Sequence, residues 1–178
     1  DNHKKTVELF SPEGVIPEIQ VHISKGETES PVKINTNIQL KGLKIKYKFF
    51  PYPLSLIRGA VSVKGDKITY KNITGVNKYS KIFINGSTDM KTLQTGLNLK
   101  CRNIAIDSTL YKALPTVYQD HWNSLKPSGS FDMGLDLTIK SFLKNPFYIY
   151  STKIKFNNLG LSSVDNLQNI TGTLFLPR

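Results

Sequence analysis

Apolar and polar residues alternate through most of this chain, and a two-residue period permits extended strands with one buried and one wet face. In residues 43–49 the apolar side carries Leu43, Ile45, Tyr47 and Phe49, and the other side carries Lys44, Lys46 and Lys48. Burying those apolar side chains is worth about 6–12 kcal/mol, while ordering the backbone costs about 7–14 kcal/mol, so such a strand holds only within a larger sheet. A second run, following Pro127-Ser128-Gly129, sets Phe131, Met133, Leu135, Leu137 and Ile139 against Asp132, Gly134, Asp136, Thr138 and Lys140. Weaker alternation predicts strands over 18–24, 32–40, 57–63, 67–73, 81–85, 97–106, 148–156 and 170–176.

Short connections join these runs. Lys41-Gly42, Lys64-Gly65-Asp66 and Asn85-Gly86 offer the residues that positive-φ turn positions need. Between residues 97 and 106 the apolar parity switches, from Leu97, Leu99 and Cys101 to Ile104 and Ile106, which predicts a β-bulge near Arg102-Asn103. One segment breaks the pattern. Asp107-Ser108 caps a helix over 109–114, Pro115 interrupts it, and 116–125 continues as a second piece. Its apolar residues Leu110, Leu114, Val117, Tyr118, Trp122 and Leu125 recur at spacings of three and four, so this face should lie on a sheet or plug a groove. The fold class is therefore mainly β: a long, twisted antiparallel sheet, open-grooved or sandwich-like, with one helical segment near residues 108–125.

The 178 residues suit a single β-rich domain over 1–178 with a core of its own, and a candidate internal boundary falls at Pro51-Tyr52-Pro53. Asp1-Asn2-His3-Lys4-Lys5 has neither an initiator Met nor a signal-peptide core, so the chain reads as a piece of a longer protein. No apolar run approaches the roughly 20 residues that cross a bilayer. A formal charge of +11 favours anionic partners. The lysines are dispersed and far outnumber the arginines, which serves bidentate readout of bases poorly, so nucleic acid is not the expected partner.

No constellation of catalysis or metal binding stands out. His3, His22 and His121 are scattered and Cys101 is single, so neither a metal site nor another cofactor is expected. Asp120 and His121 are adjacent on a predicted helix and point about 100° apart, so one does not orient the other as a triad does. Asp132 and Asp136 are about 13 Å apart along a strand, too far for a retaining glycosidase pair. The aromatics Tyr47, Phe49, Phe50, Tyr52, Phe147, Tyr148 and Tyr150 suit a sheet core, a stacking platform or a membrane-facing belt. An enzyme is not expected.

The stretch Pro53-Leu54-Ser55-Leu56-Ile57-Arg58-Gly59-Ala60-Val61-Ser62-Val63-Lys64-Gly65-Asp66-Lys67-Ile68 leads to Asn72-Ile73-Thr74-Gly75 and then to Ile84-Asn85-Gly86. Tyr111-Lys112-Ala113-Leu114-Pro115 and Trp122 then precede Leu125-Lys126-Pro127-Ser128-Gly129-Ser130-Phe131-Asp132, and Leu167-Gln168-Asn169-Ile170-Thr171-Gly172-Thr173-Leu174 repeats the pattern near the C-terminus. From Pro53 onward this order resembles the AsmA-like family, the bacterial envelope proteins related to AsmA, TamB and YhdP. The resemblance implies a long curved β-sheet whose apolar groove holds acyl chains between the inner and outer membranes.

The expected function is thus non-enzymatic lipid binding or lipid transfer on the periplasmic side of a bacterial envelope. The expected partner is a phospholipid or other amphiphile, with a membrane surface reached through the parent protein. The groove residues are expected to be Leu43, Ile45, Met133, Leu135, Leu137 and Ile139. The alternative is a structural β-sandwich that binds carbohydrate or protein, and it differs in burying both apolar stripes internally.

Overall fold

The computed structural model describes residues 8–25, 33–140, 147–163 and 167–177, so His3 and Val32 of the sequence reading lie outside the described residues. Nine strands follow in order: β1 (Glu18–Ser24), β2 (Lys33–Tyr47), β3 (Phe50–Lys64), β4 (Lys67–Asn77), β5 (Ser80–Asp89), β6 (Gln94–Ala105), β7 (Pro127–Lys140), β8 (Phe147–Leu161) and β9 (Leu167–Leu176). Each pairs antiparallel with the next, in chain order, as one sheet that does not close. The described strands belong to this single sheet and not to a two-sheet sandwich.

Register aligns the apolar parity of every strand. Ile19, Ile38, Val61, Tyr70, Gly86, Leu97, Leu137 and Tyr150 form one cross-strand row. Lysines and arginines stand on the other face. A long flat sheet with one oily face would leave that face wet, and six strands carry the device that bends it.

In each of these six, a residue in the left-handed region immediately precedes an apolar one: Gly42 before Leu43, Leu56 before Ile57, Asn72 before Ile73, Asn103 before Ile104, Asn158 before Leu159 and Asn169 before Ile170. Each coincides with a register shift to a neighbouring strand, the mark of a β-bulge. The extra residue restores the apolar residue to the inner face and sharpens the local twist. Leu43, Ile57, Ile73 and Ile104 are buried in one cluster with Leu54, Ile82 and Cys101, so the main core lies over the bulge row.

The bulges leave backbone groups without ladder partners, and polar side chains take them up. The Asn72 N–H donates to Asn85 Oδ1 at 2.8 Å, the Asn103 N–H donates to Asp132 Oδ1 at 2.8 Å, and Ser80 Oγ donates to the Asn103 carbonyl at 2.9 Å. The bulge expected near Arg102-Asn103 is the one at Asn103. Asp132 serves that bulge, and Asp136 accepts from Asn98 at 2.7 Å.

Two expected turns are strand interior. Lys41-Gly42 is the β2 bulge, and Asn85-Gly86 lies within β5, where a Cβ on Gly86 would come within 2.2 Å of the Gly96 carbonyl oxygen. Lys64-Gly65-Asp66 does make the turn between β3 and β4, with Gly65 at φ 54°. Pro51-Tyr52-Pro53 belongs to β3, and Tyr52 is buried in the core.

The helical segment forms α1 (Ser108–Ala113) and α2 (Thr116–Leu125), broken at Pro115. Asp107 caps α1 by accepting from the N–H groups of Thr109 at 2.8 Å and Leu110 at 3.1 Å. Lys78 from the β4–β5 turn approaches the same carboxylate at 2.9 Å. Leu110 and Ala113 enter the core, so α1 plugs the bent sheet against β3. The expectation for the second piece differs. α2 buries none of its residues, because Pro115 redirects the chain after α1 has docked. It is held instead by Gln119, which donates to the carbonyls of Tyr111 and Leu114 at 3.2 and 2.9 Å, and by the contact of Trp122 with the Tyr111 ring.

Gly59 adopts φ 131°, and a Cβ there would come within 2.6 Å of the Asn72 carbonyl oxygen and 2.8 Å of Ile73 Cα. Gly59→Ala should cost about 2–4 kcal/mol in urea unfolding, and Gly65→Ala, with open space around it, about 1 kcal/mol. Equal losses would refute the close packing assigned to Gly59. A second measurement tests the cap. Burial pushes the Asp107 carboxyl up, Lys78 and the two helix N–H groups pull it down, and the balance holds it below its ordinary value. A depressed carboxyl stabilises the fold above its unfolded pKa, and that contribution is lost as pH falls through the folded value. Asp107→Asn keeps a capping oxygen without the charge, so its urea midpoint should fall below wild type above about pH 4 and converge with it as pH falls through the folded value. A gap independent of pH would show that the charge plays no part.

Candidate functional site

Among the described residues no three His, Cys, Asp or Glu side chains gather to hold a metal ion, and no helix is long and apolar enough to cross a membrane. Asp120 and His121 are both exposed on α2. What the fold assembles is a surface, the apolar face of the sheet.

All six residues expected at a groove share that face. Leu135 and Leu137 pair across from Leu99 and Leu97, Met133 from Cys101, and Ile139 from Thr95, while Leu43 and Ile45 approach from β2 and β3 with Ile57 and Leu54. They are not equally accessible. Leu43 is 5 % exposed in the main core, and Ile139 is 3 % exposed beneath Leu9, so the protein's own side chains cover both. Ile45, Met133, Leu135 and Leu137 are half-buried.

A second cluster shows how far the sheet coils. Leu9 packs on Ile139, with Phe10, Tyr47, Leu97 and Leu137 around them, and Phe10 stacks on Tyr47 with ring centroids 5.2 Å apart. The segment before β1 is tied to β2 by paired backbone bonds between Glu13 and Lys44 and by the Lys48 N–H donating to the Leu9 carbonyl. Tyr47 of β2 also meets Tyr148 of β8, with five strands between them in the sheet order. Only a strongly coiled sheet brings those strands together across its hollow side. Burial, and then the Tyr148 hydroxyl, push the Tyr47 pKa up, and no well-formed hydrogen bond satisfies the Tyr47 oxygen.

A row of hydroxyls crosses the same face. Tyr70 lies 2.9 Å from Thr88, and Thr88 lies 2.8 Å from Thr95. Burial pushes the Tyr70 hydroxyl pKa up, against the opposing pull of its Thr88 bond. This polar strip was missed from the sequence, although Thr at an apolar parity position is the trace it leaves.

Toward the sheet's edges the cover ends. Ile19, Val21 and Ile23 of β1, Tyr148 and Tyr150 of β8, and Leu174 and Leu176 of β9 are exposed apolar residues continuous in register with the covered centre. The aromatics divide accordingly: Tyr52 is core, Tyr47 is half-buried, and Phe49, Phe50, Phe147, Tyr148 and Tyr150 face solvent. The opposite face exposes Arg58, Lys71, Lys81, Lys100, Arg102, Lys153 and Lys155, with Arg102 5.7 Å from the centre of the Phe83 ring. The arrangement offers apolar area inside and positive potential outside.

No protein-family model, curated protein or solved structure matches the chain.

Cys101 reports on the hollow because it stands at the centre of the apolar face. Burial pushes its thiol up to about 11. At pH 8 the native protein should react with an aromatic disulfide reagent about a hundredfold more slowly than the urea-unfolded chain. Comparable rates would mean that the core over the bulge row is open to water.

Proposed function

We propose that this chain is a non-catalytic lipid-holding segment of an AsmA-like bacterial envelope protein, acting on the periplasmic side. The observation that supports this reading best is an unclosed meander of nine strands whose register keeps one face apolar from edge to edge. The bulges at Asn72-Ile73 and Asn169-Ile170 give a structural meaning to the repeated Asn-apolar-x-Gly signature in which the resemblance consists. A phospholipid or related amphiphile is the ligand. Its acyl chains lie along the half-buried floor of Ile45, Met133, Leu135 and Leu137 and along the exposed edge residues of β8 and β9. Leu43 and Ile139 support that floor from beneath their own cover.

The mechanism is passive. Each square ångström of acyl surface taken from water contributes about 25 cal/mol, and nearby lysines attract headgroup phosphates. Transfer on this reading requires no bond to be made or broken, because the uncovered apolar residues of β7, β8 and β9 adjoin one another in register.

Organic extraction of the purified protein, followed by mass spectrometry, should yield phospholipid. Leu174→Asp places a charge on the exposed edge and should leave stability within about 0.5 kcal/mol while lowering retained lipid at least about tenfold. Wild-type protein that purifies free of lipid and takes none up from vesicles would defeat the proposal.

A further inference from the structure

In an antiparallel meander, alternate connections lie at the same end of the sheet. The β2–β3 turn, the β4–β5 turn and the α1–α2 connection therefore share one end. Side-chain bonds tie them into one unit. Phe50 stacks on Tyr52, the Tyr52 hydroxyl donates to Ser80 Oγ at 3.3 Å, and Lys78 pairs with the Asp107 carboxylate that caps α1. Asn123 of α2 donates to the Tyr111 hydroxyl of α1 at 3.2 Å.

This end carries large apolar side chains that the fold does not use. Tyr79 is 85 % exposed, Val117 62 % and Tyr118 56 %, and Phe49, Phe50 and Leu125 are exposed beside them. Lys48, Lys78, Lys112 and Lys126 stand among these residues, all exposed. The acids of the three connections are Asp107, whose charge Lys78 meets, and Asp120, and exposed Glu8 adjoins Lys48 through the Leu9 carbonyl. The described turns at the opposite end, 65–66 and 90–93, hold the Lys91–Asp66 pair and expose no large apolar side chain. Ile23, Ile34 and Phe147 are exposed at the strand ends there, but without an aromatic-bearing turn or helix between the strands of the described connections.

We infer that this end of the sheet is a docking rim for the surface of an anionic phospholipid bilayer. Tyrosine, phenylalanine and lysine together suit the headgroup boundary, where a ring enters the acyl region while a hydroxyl or ammonium remains wet. Val117, Tyr118 and Leu125 lie on a helix with no buried residue, the arrangement of an amphipathic helix lying in an interface. The excess of lysine over acid supplies the complementary charge for lipid phosphate. Apolar points spread over three connections also suit a fluid surface, which yields to each separately, better than a rigid protein partner of fixed shape. The inference goes beyond lipid holding along the sheet and rests on different residues.

Flotation of the full chain with vesicles tests it. The protein should float with mixed phosphatidylcholine–phosphatidylglycerol vesicles and much less with phosphatidylcholine alone. The triple variant Tyr79→Ser, Val117→Ser, Tyr118→Ser changes only exposed residues and should lower partitioning at least about tenfold. Lys48→Gln and Lys112→Gln should each lower it about fivefold on the anionic vesicles. Leu174→Asp should float like wild type, so failure of lipid retention and failure of docking are separable. Absence of wild-type flotation, equal partition into both vesicle types, or full binding by the triple variant overturns the inference. So does concentration-dependent self-association that the triple variant abolishes, which would assign the rim to a second copy of the chain.

Discussion

The structure depends on a left-handed residue set one place before an apolar one. Period-two alternation makes an oily face, but nine strands laid flat would have nothing to bury it against. At the bulges the backbone takes up one extra residue, the strand bends, and Leu43, Ile57, Ile73 and Ile104 converge. Asparagine adopts this conformation at little cost because its short polar side chain bonds locally, and it does so in β4, β6, β8 and β9. Leu56 has no such help and adopts φ 53° at a cost of about 1–2 kcal/mol, which the burial of the adjoining Ile57 offsets. Because the bulge N–H groups of Asn72 and Asn103 are accepted by Asn85 and Asp132, the bends are specific positions rather than soft spots.

Much of this was legible in the chain and some was not, for physical reasons. The bounds of β1, the break at Pro115, the Asp107 cap and the bulge at Asn103 follow from parity and local hydrogen bonding, which act over a few residues. Glycine misled because it serves two needs. Gly42 has positive φ inside a strand, and Gly86 has an ordinary backbone but no room for a side chain, so neither marks a turn. Proline misled at 51 and 53 because pairing of β3 with β4 begins only at Ser55, which leaves the preceding residues beyond that neighbour, where a missing N–H costs nothing. Alternation identified which side chains share a face, including all six expected at the groove. It carries no information on which of them Leu9 and α1 would cover, since those contacts join residues far apart in the chain.

The helical pieces show the same limit from the other side. Spacings of three and four mark Val117, Tyr118, Trp122 and Leu125 as one side of a helix, and the usual consequence is burial. Here the docking surface over the bulge row is already filled by Leu110 and Ala113 of α1, and Pro115 prevents α2 from continuing on the same axis. Only Trp122 packs partly against the core, and the rest of that side is left outward. A helical pattern that fails to bury is thus explained by competition for one site.

Charge completes the division of the molecule into faces, because several acids are bonded within the fold while most of the described lysines are not. Asp107 caps a helix, Asp132 holds a bulge, Asp136 accepts from Asn98, and Asp89 accepts from the N–H groups of Lys91 and Thr92 in the β5–β6 turn. Among the described residues the lysine ion pairs are Lys78–Asp107 and Lys91–Asp66. Carboxylates spent on backbone N–H groups keep their charge but stay near the fold's own dipoles, so the field outside is set by the surplus cations. Of these carboxylates only Asp132 serves a bulge, so the bends shape the hollow, while the positive exterior follows from 24 lysines and arginines against 13 acids.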